Sequence, residues 1–476
     1  MQEILKNLPD IIKAAASSNL GIIALMLIVL SGLAYGFFRK SSEAWRFSAL
    51  IILFAGCMSF GYAVFRSSQG ISRPQDEIGL SKSIESWITE NEVARTAKTI
   101  SPGSTLPASL VDARNHFESA WKQASLAERK AQDAEKVSKA LSYTNRLYRV
   151  IEYDSSIQQN ANYWADEYIH YFEETQNRKY LTEALLDKAA IYLDIAQLGH
   201  NDKLQFETMA KNGDAVMTKA YQTASEEQRP SVLRLSSRFY YNLARPKSFR
   251  LSENWDNNYL LLAYQKAKAA YELAPTDSKN ANQLARTAIK ASKNQPQDSD
   301  KEWTKILRDS QQKLKAAWLT NQSNLVGIDQ RLSPLNVLGV STLETVAREW
   351  SELTPADRKS EALRYVSELD ADAISPLREA TALLQNSELR KSYGFDLYYD
   401  IARAQALKTA ILRASSTMRA DKEFEELKGN LLSAKENAKT SQLEAAVQDV
   451  TKEITFTFLT PKERDVLLHL LSVGIK

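Results

Sequence analysis

Cysteine occurs once in the 476 residues, at Cys57, so no intramolecular disulfide can form and no cysteine-based metal site is available. Histidine occurs four times, at His116, His170, His200 and His469. Glu167 and His170 have the Glu-x-x-His spacing of di-iron helical bundles, but such sites need a second copy and none exists. Glycine is sparse after Gly103: seven of the 15 fall in the remaining residues. No glycine-rich phosphate loop, GxxxxGK[ST], G-x-S-x-G or His-Glu-x-x-His is present there. Neither charge sign prevails either. Residues 1–66 hold six Lys/Arg against three acids, which leaves 55 of each sign in residues 67–476. A neutral chain of that length lacks the broad basic field of a nucleic-acid binder. Sustained alternation of β-branched and polar residues is also missing. The nearest case, Glu453–Leu459 (EITFTFL), is too isolated to build a sheet. The chain after residue 66 is therefore predicted to be all-α, with no catalytic residue, cofactor or metal signalled.

What the sequence does have is two uncharged apolar runs, residues 14–38 and 47–65, separated by the charged RKSSEAWR. At about 1.5 Å per residue each run can cross a hydrocarbon core about 30 Å thick. The intervening charges cannot sit cheaply in lipid. The expectation is a transmembrane helical hairpin over residues 1–66. The first run is too long for a cleaved signal core and a second follows at once. Gly32 and Gly36 form a GxxxG, and Ala55 with Ser59 and Cys57 with Gly61 are further small pairs four apart. Small residues at that spacing let helix backbones approach closely. They serve either packing within one hairpin, which is the simpler reading, or self-association into a homo-oligomer. Lys6, Lys13, Arg66, Arg73 and Lys82 outnumber the loop cations Arg39, Lys40 and Arg46, which favours the tails and the large domain on the cytoplasmic side of a bacterial inner membrane, whereas cation density per residue favours the loop on that side.

Residues 67–108 read as a tether, rich in Gly, Pro and Ser, that carries a short amphipathic helix over 81–98 with Ile84, Trp87 and Ile88 on one face. Residues 109–323 are helical with few interruptions. Ser109 and Asp112 are expected to cap the first helix, and paired helices are expected over 180–198 and 204–224, then 231–244 and 258–274. The stretch 324–340 carries Gly327, Pro334 and Gly339 and is read as a domain boundary. Residues 341–476 then form a C-terminal helical domain, with helix starts expected at Ser341/Glu344, Thr354-Pro355 and Ser375-Pro376.

The helix NYLLLAYQKAKAAYELA, ending before Pro275, resembles the second helix of a tetratricopeptide repeat. Ala263, Ala267 and Ala270 take the small positions and Pro275 stands where that family opens its next repeat. Leu284 and Ala285 fall at the family's Leu-Gly pair, whereas Ala281 and Ala288 replace its Trp and Tyr. The likeness covers about residues 180–320, and an insertion over 245–257 breaks the 34-residue period. It implies a solenoid of helical hairpins that binds protein on a concave face. Aromatic residues beside arginine favour binding hot spots, which nominates Arg238, Tyr240 and Tyr241 together with Tyr398, Tyr399 and Arg403 as a partner groove. Ordinary packing between helices is the competing account of the same tyrosines. Two functional readings follow. In the first the chain is a membrane-anchored helical-repeat scaffold, not an enzyme, that holds partner proteins at the bilayer and binds no nucleic acid. In the second the soluble helices sense a signal and the hairpins oligomerise to disrupt the bilayer, as in stress or phage-defence systems.

Overall fold

A computed structural model describes residues 79–476 except 156, 199–201, 246–254, 295–299, 325–327, 385–389, 416–418 and 473–476. Both expected membrane spans, 14–38 and 47–65, lie outside the described residues, and with them Gly32, Gly36, Ala55, Cys57, Ser59 and Gly61. Among the described residues every regular element is helical, and no helix is long and apolar enough to cross a membrane.

Helix α1 (Leu80–Thr96) is followed by α2 (Ala108–Gln123) and the single-turn α3 (Leu126–Lys130). Then come α4 (Ala134–Ile151), α5 (Gln159–Glu174), α6 (Arg178–Leu198), α7 (Lys203–Thr223), α8 (Arg229–Leu243), α9 (Asn257–Leu273), α10 (Ser278–Lys293) and α11 (Asp300–Asn321). Aspartates open many of them. Asp133, Asp202, Asp256 and Asp277 accept backbone N–H groups in the first turns of α4, α7, α9 and α10. Each such cap contributes about 1 kcal/mol, and its negative charge faces the positive end of the helix dipole. Helix α2 starts differently from the sequence expectation. It begins after Pro107 with no side-chain cap, so Ser109 and Asp112 lie inside its first turn.

Successive helices pack as hairpins: α1 with α2, α4 with α5, α6 with α7, α8 with α9, and α10 with α11. The hairpins then stack, first helix beside first helix and second beside second. Hydrogen bonds between stacked hairpins record the repeat length directly. Along the first helices Ser142 bonds to Asp187 and Arg149 to Asp194, each 45 residues on. Gln283 bonds to Ser237 over 46 residues, and Lys136 to Glu85 and Asn282 to Ser333 over 51. Along the second helices Trp121 reaches Glu167 and Lys219 reaches Glu173, both over 46. The period is thus longer than the 34 residues of the tetratricopeptide family. The cause is helix length, since α6 and α7 each run 21 residues.

The cores change along the stack. The first hairpins are filled by aromatic rings, with Trp87, Phe117, Trp121, Trp164 and Phe172 all fully buried and Phe117 within 6.5 Å of three of them. Later hairpins approach closely on alanine: Ala263, Ala267, Ala270, Ala281, Ala285 and Ala288 have no exposed surface. Gly213 belongs to the same economy, because a Cβ there would collide with the ring of Phe239.

Residues 328–352 form one helix, α12 (Ile328–Glu352), across most of the stretch that the sequence marks as a boundary. Pro334 lies within it, and Gly339 is a close-packing position where a Cβ would meet Leu377 and the carbonyl of Ala373. Ser341 and Glu344 are buried in mid-helix and cap nothing. Its partner is α13 (Pro355–Glu368), which passes through a π-helical segment at Leu369–Ile374 into α14 (Ser375–Leu384). Thr354 caps α13 as its sequence predicts, whereas Ser375-Pro376 continues a helix already under way. The last long hairpin is α15 (Arg390–Ala414) with α16 (Arg419–Glu436). Three short helices, α17 (Thr440–Lys452), α18 (Ile454–Thr457) and α19 (Pro461–Ser472), close over it around Phe395, Tyr399, Leu427, Phe456 and Leu467. The β-like EITFTFL is helical here, because Ile454–Thr457 makes a turn that buries Thr455 and Phe456. Residues Ile84–Lys476 group as one unit.

Candidate functional site

The nominated groove residues divide between α8 and α15. On α8, Tyr240 is 6% exposed, and its hydroxyl donates to Asp214 of α7. Burial and that carboxylate push its pKa well above the tyrosine range. Tyr240 therefore fills the seam between hairpins and presents no ring to a partner. Tyr241 is equally buried, 5.1 Å from the ring of Trp255, with the guanidinium of Arg286 over its face at 5.0 Å. Arg238 is exposed on the same helix.

On α15, Tyr399 stacks on Phe395 at 5.4 Å and donates its hydroxyl to Asp449, 3.2 Å away. Tyr398 is half-buried against the same core. Arg403 is 5% exposed and is gripped by three carboxylates: Glu344 of α12, Asp400 of its own helix at 2.8 Å, and Glu453 at the α17–α18 junction. Lys293, from the end of α10, reaches Glu344 at 2.7 Å and Glu453 at 3.3 Å. Burial opposes charge on Glu344, yet Lys293 and Arg403 outweigh it and hold that carboxyl down at about 2. For Asp400 burial wins, and its pKa rises despite Arg403. This node ties α10, α12, α15 and the C-terminal helices together, and every member is occupied by another. Its chemistry is structural.

Helix α10 links the two groups, since its Arg286 touches Tyr241 and its Lys293 enters the Arg403 node. Sequence reasoning missed Lys290, Lys293, Glu344 and Glu453. The partners of Arg403 lie 59 and 50 residues away, beyond any local pattern. Glu344 does carry one usable signal, a charge inside the apolar run LNVLGVSTLETVA.

A second surface feature lies between the ends of α7, α8 and α9. Tyr221, Leu233, Leu262, Lys266, Glu272 and Leu273 line an open groove of about 450 Å³, with Tyr221 38%, Leu262 36% and Leu273 54% exposed. Among the described residues no group of three His, Cys, Asp or Glu could hold a metal. Glu167 and His170 take separate partners, Trp121 with Arg129 for the first and Glu174 for the second.

No family model matches the chain, and no curated protein matches it. Among solved structures it is similar to a circular tandem repeat protein with novel repeat topology and enhanced subunit contact surfaces. That similarity has a TM-score of 0.31 and 12% identity, over 83% of this chain and 93% of the other. So loose a likeness adds nothing to the fold, and the repeat-like stacking rests on the inter-hairpin hydrogen bonds.

Proposed function

We propose that this chain is a membrane-anchored helical-repeat scaffold that recruits partner proteins at the cytoplasmic face of a bacterial inner membrane. The observation that carries the reading is the stacking of hairpins joined by hydrogen bonds that recur at spacings of 45, 46 and 51 residues. Such stacking orders long rows of helix surface, which is how solenoids present a partner site. Kinship with the tetratricopeptide family is the finer form of this reading, supported by the complete burial of Ala263, Ala267 and Ala270 on α9. The anchor rests on the uncharged runs 14–38 and 47–65. No catalytic role is assigned, because the ionisable groups drawn together around Arg403 all serve one another.

The test is chemical cross-linking of the full chain in membranes, followed by identification of the attached proteins. A scaffold attaches a defined partner and keeps it when residues 1–66 are exchanged for an unrelated two-span anchor. Failure to attach any protein overturns the reading. The rival reading, an oligomerising bilayer-disrupting effector, takes the GxxxG of Gly32 and Gly36 as a contact between chains. In that case the exchanged anchor, or Gly32→Ile with Gly36→Ile, abolishes growth arrest on overexpression.

A further inference from the structure

Among the described residues the cations at the seams differ in their partners. Across several seams a cation meets a carboxylate: Arg146 with Asp187, Arg149 with Asp194, Lys188 with Asp166, and Arg308 with Glu349 and Glu368. The seam of α8 and α10 differs. Arg234, Arg238 and Arg245 follow one another along α8 and its end, and Arg286 and Lys290 lie along α10. The bond from Gln283 to Ser237 sets the two helices in register. Among the described residues none of these five cations forms an ion pair with a carboxylate. Arg286 and Arg245 lie over the ring of Tyr241, at 5.0 and 5.9 Å, and Lys290 lies 4.9 Å from the ring of Trp255.

Half-burial without an ion-pair partner has a cost that shows at Arg234 and Lys290. Burial pushes Arg234 down from its usual pKa with only Asp277 opposing among nearby charges, and burial with Lys293 pushes Lys290 down. Nε of Arg234 is buried with no hydrogen-bond partner. An incoming carboxylate relieves that cost, so the surface is complementary to negative charge. The acids bordering the strip are Asp277, which caps α10, Asp396 of α15, whose charge acts on Lys290, and Glu344 and Asp400, which are held by Arg403.

We infer that the α8–α10 face binds an acidic, extended segment of a partner protein, whose carboxylates take Arg234, Arg238, Arg286 and Lys290 while its chain runs past Trp255. This rests on the scaffold reading and names the chemistry of its partner. From Arg234 to Arg245 the row spans roughly 16 Å at helical rise, the length of about five extended residues. A peptide suits that length and the flanking acids, whereas a nucleic acid needs basic surface well beyond it.

The experiment is fluorescence anisotropy with the purified full chain and a fluorescein-labelled oligopeptide of alternating Asp and Glu. A matched Asn/Gln peptide and a single-stranded oligonucleotide are the comparison probes. The acidic peptide binds, more weakly as salt rises, and Arg238→Glu with Arg286→Glu lowers affinity by at least about tenfold. Lys359→Glu, the same change of sign at an exposed site on α13, leaves it unaltered, and an unshifted thermal melt certifies that both variants are folded. Equal binding of the Asn/Gln peptide, tighter binding of the oligonucleotide, or indifference to the reversals overturns the inference. If the acidic peptide fails while cross-linking still attaches a partner that ignores Arg238→Glu and Arg286→Glu, the acidic-segment inference falls and the scaffold reading stands. If neither a peptide nor a partner is found, both fall.

Discussion

The α4–α6 seam and the α8–α10 seam occupy equivalent places in the stack and treat charge in opposite ways. In the first, Ser142 and Arg146 converge on Asp187 and Arg149 pairs with Asp194, so the polar groups bind hairpin to hairpin. In the second, a buried amide, Gln283 to Ser237 at 3.0 Å, does the joining, and the cations beside it form no ion pair with a carboxylate. In the α8–α10 seam a single polar fastening sets the register. Where a neutral pair supplies it, charged side chains on the same face are released for another purpose.

Five predictions sharpen that contrast, and the largest concerns a third seam. Glu344→Ala strips Arg403 and Lys293 of their shared partner inside the protein. It is expected to cost about 3–5 kcal/mol in urea unfolding, because uncompensated buried charge is left behind. The pH dependence follows from the same carboxyl. Its folded pKa, about 2, lies below the usual carboxylate value of 4.5, so its stabilisation is complete above that value and is lost as pH falls from 4.5 towards 2. Thermal melts of the wild type drop over that window more steeply than those of Glu344→Gln.

Next comes the neutral fastening. Ser237→Ala leaves the Gln283 amide buried with its partner gone, for an expected loss of about 1–3 kcal/mol by urea unfolding. In the paired seam Asp187→Asn keeps the shape but removes the charge that Arg146 meets. Its expected loss is about 1 kcal/mol, shrinking as salt is raised, since that arginine is half-exposed.

The sequence shows the repeat more clearly than the seams. Helices α6 to α9 are readable because capping aspartates, Gly199 and Pro275 mark their ends and apolar residues recur at helical spacing. Helix α12 is concealed by its own composition. Pro334 and Gly339 look like breakers, but the glycine is there so that Leu377 can approach, and the proline is carried inside a helix of 25 residues. Glu344 looks like a capping residue three after a serine, a pattern that cannot be told locally from a charge aimed into a core. The tyrosines nominated for a groove are of two kinds. Tyr240 and Tyr399 give their hydroxyls to Asp214 and Asp449 in the interior, whereas Tyr241 lies beside the free cations. Only Arg238 of the nominated six is exposed, and what singles it out, the lack of an acid across the seam, depends on residues about 46 positions away.

The smallest expected effect is also the most telling. If the α8–α10 cations are spared from folding, then Arg238→Gln with Arg286→Gln leaves unfolding free energy within about 0.5 kcal/mol of the wild type, or raises it slightly by relieving repulsion. Urea unfolding of that double variant beside Asp187→Asn measures the contrast directly. The account predicts a loss in the paired seam and none in the α8–α10 strip. A loss of more than about 1 kcal/mol for the double variant, equal to or greater than that of Asp187→Asn, would contradict it.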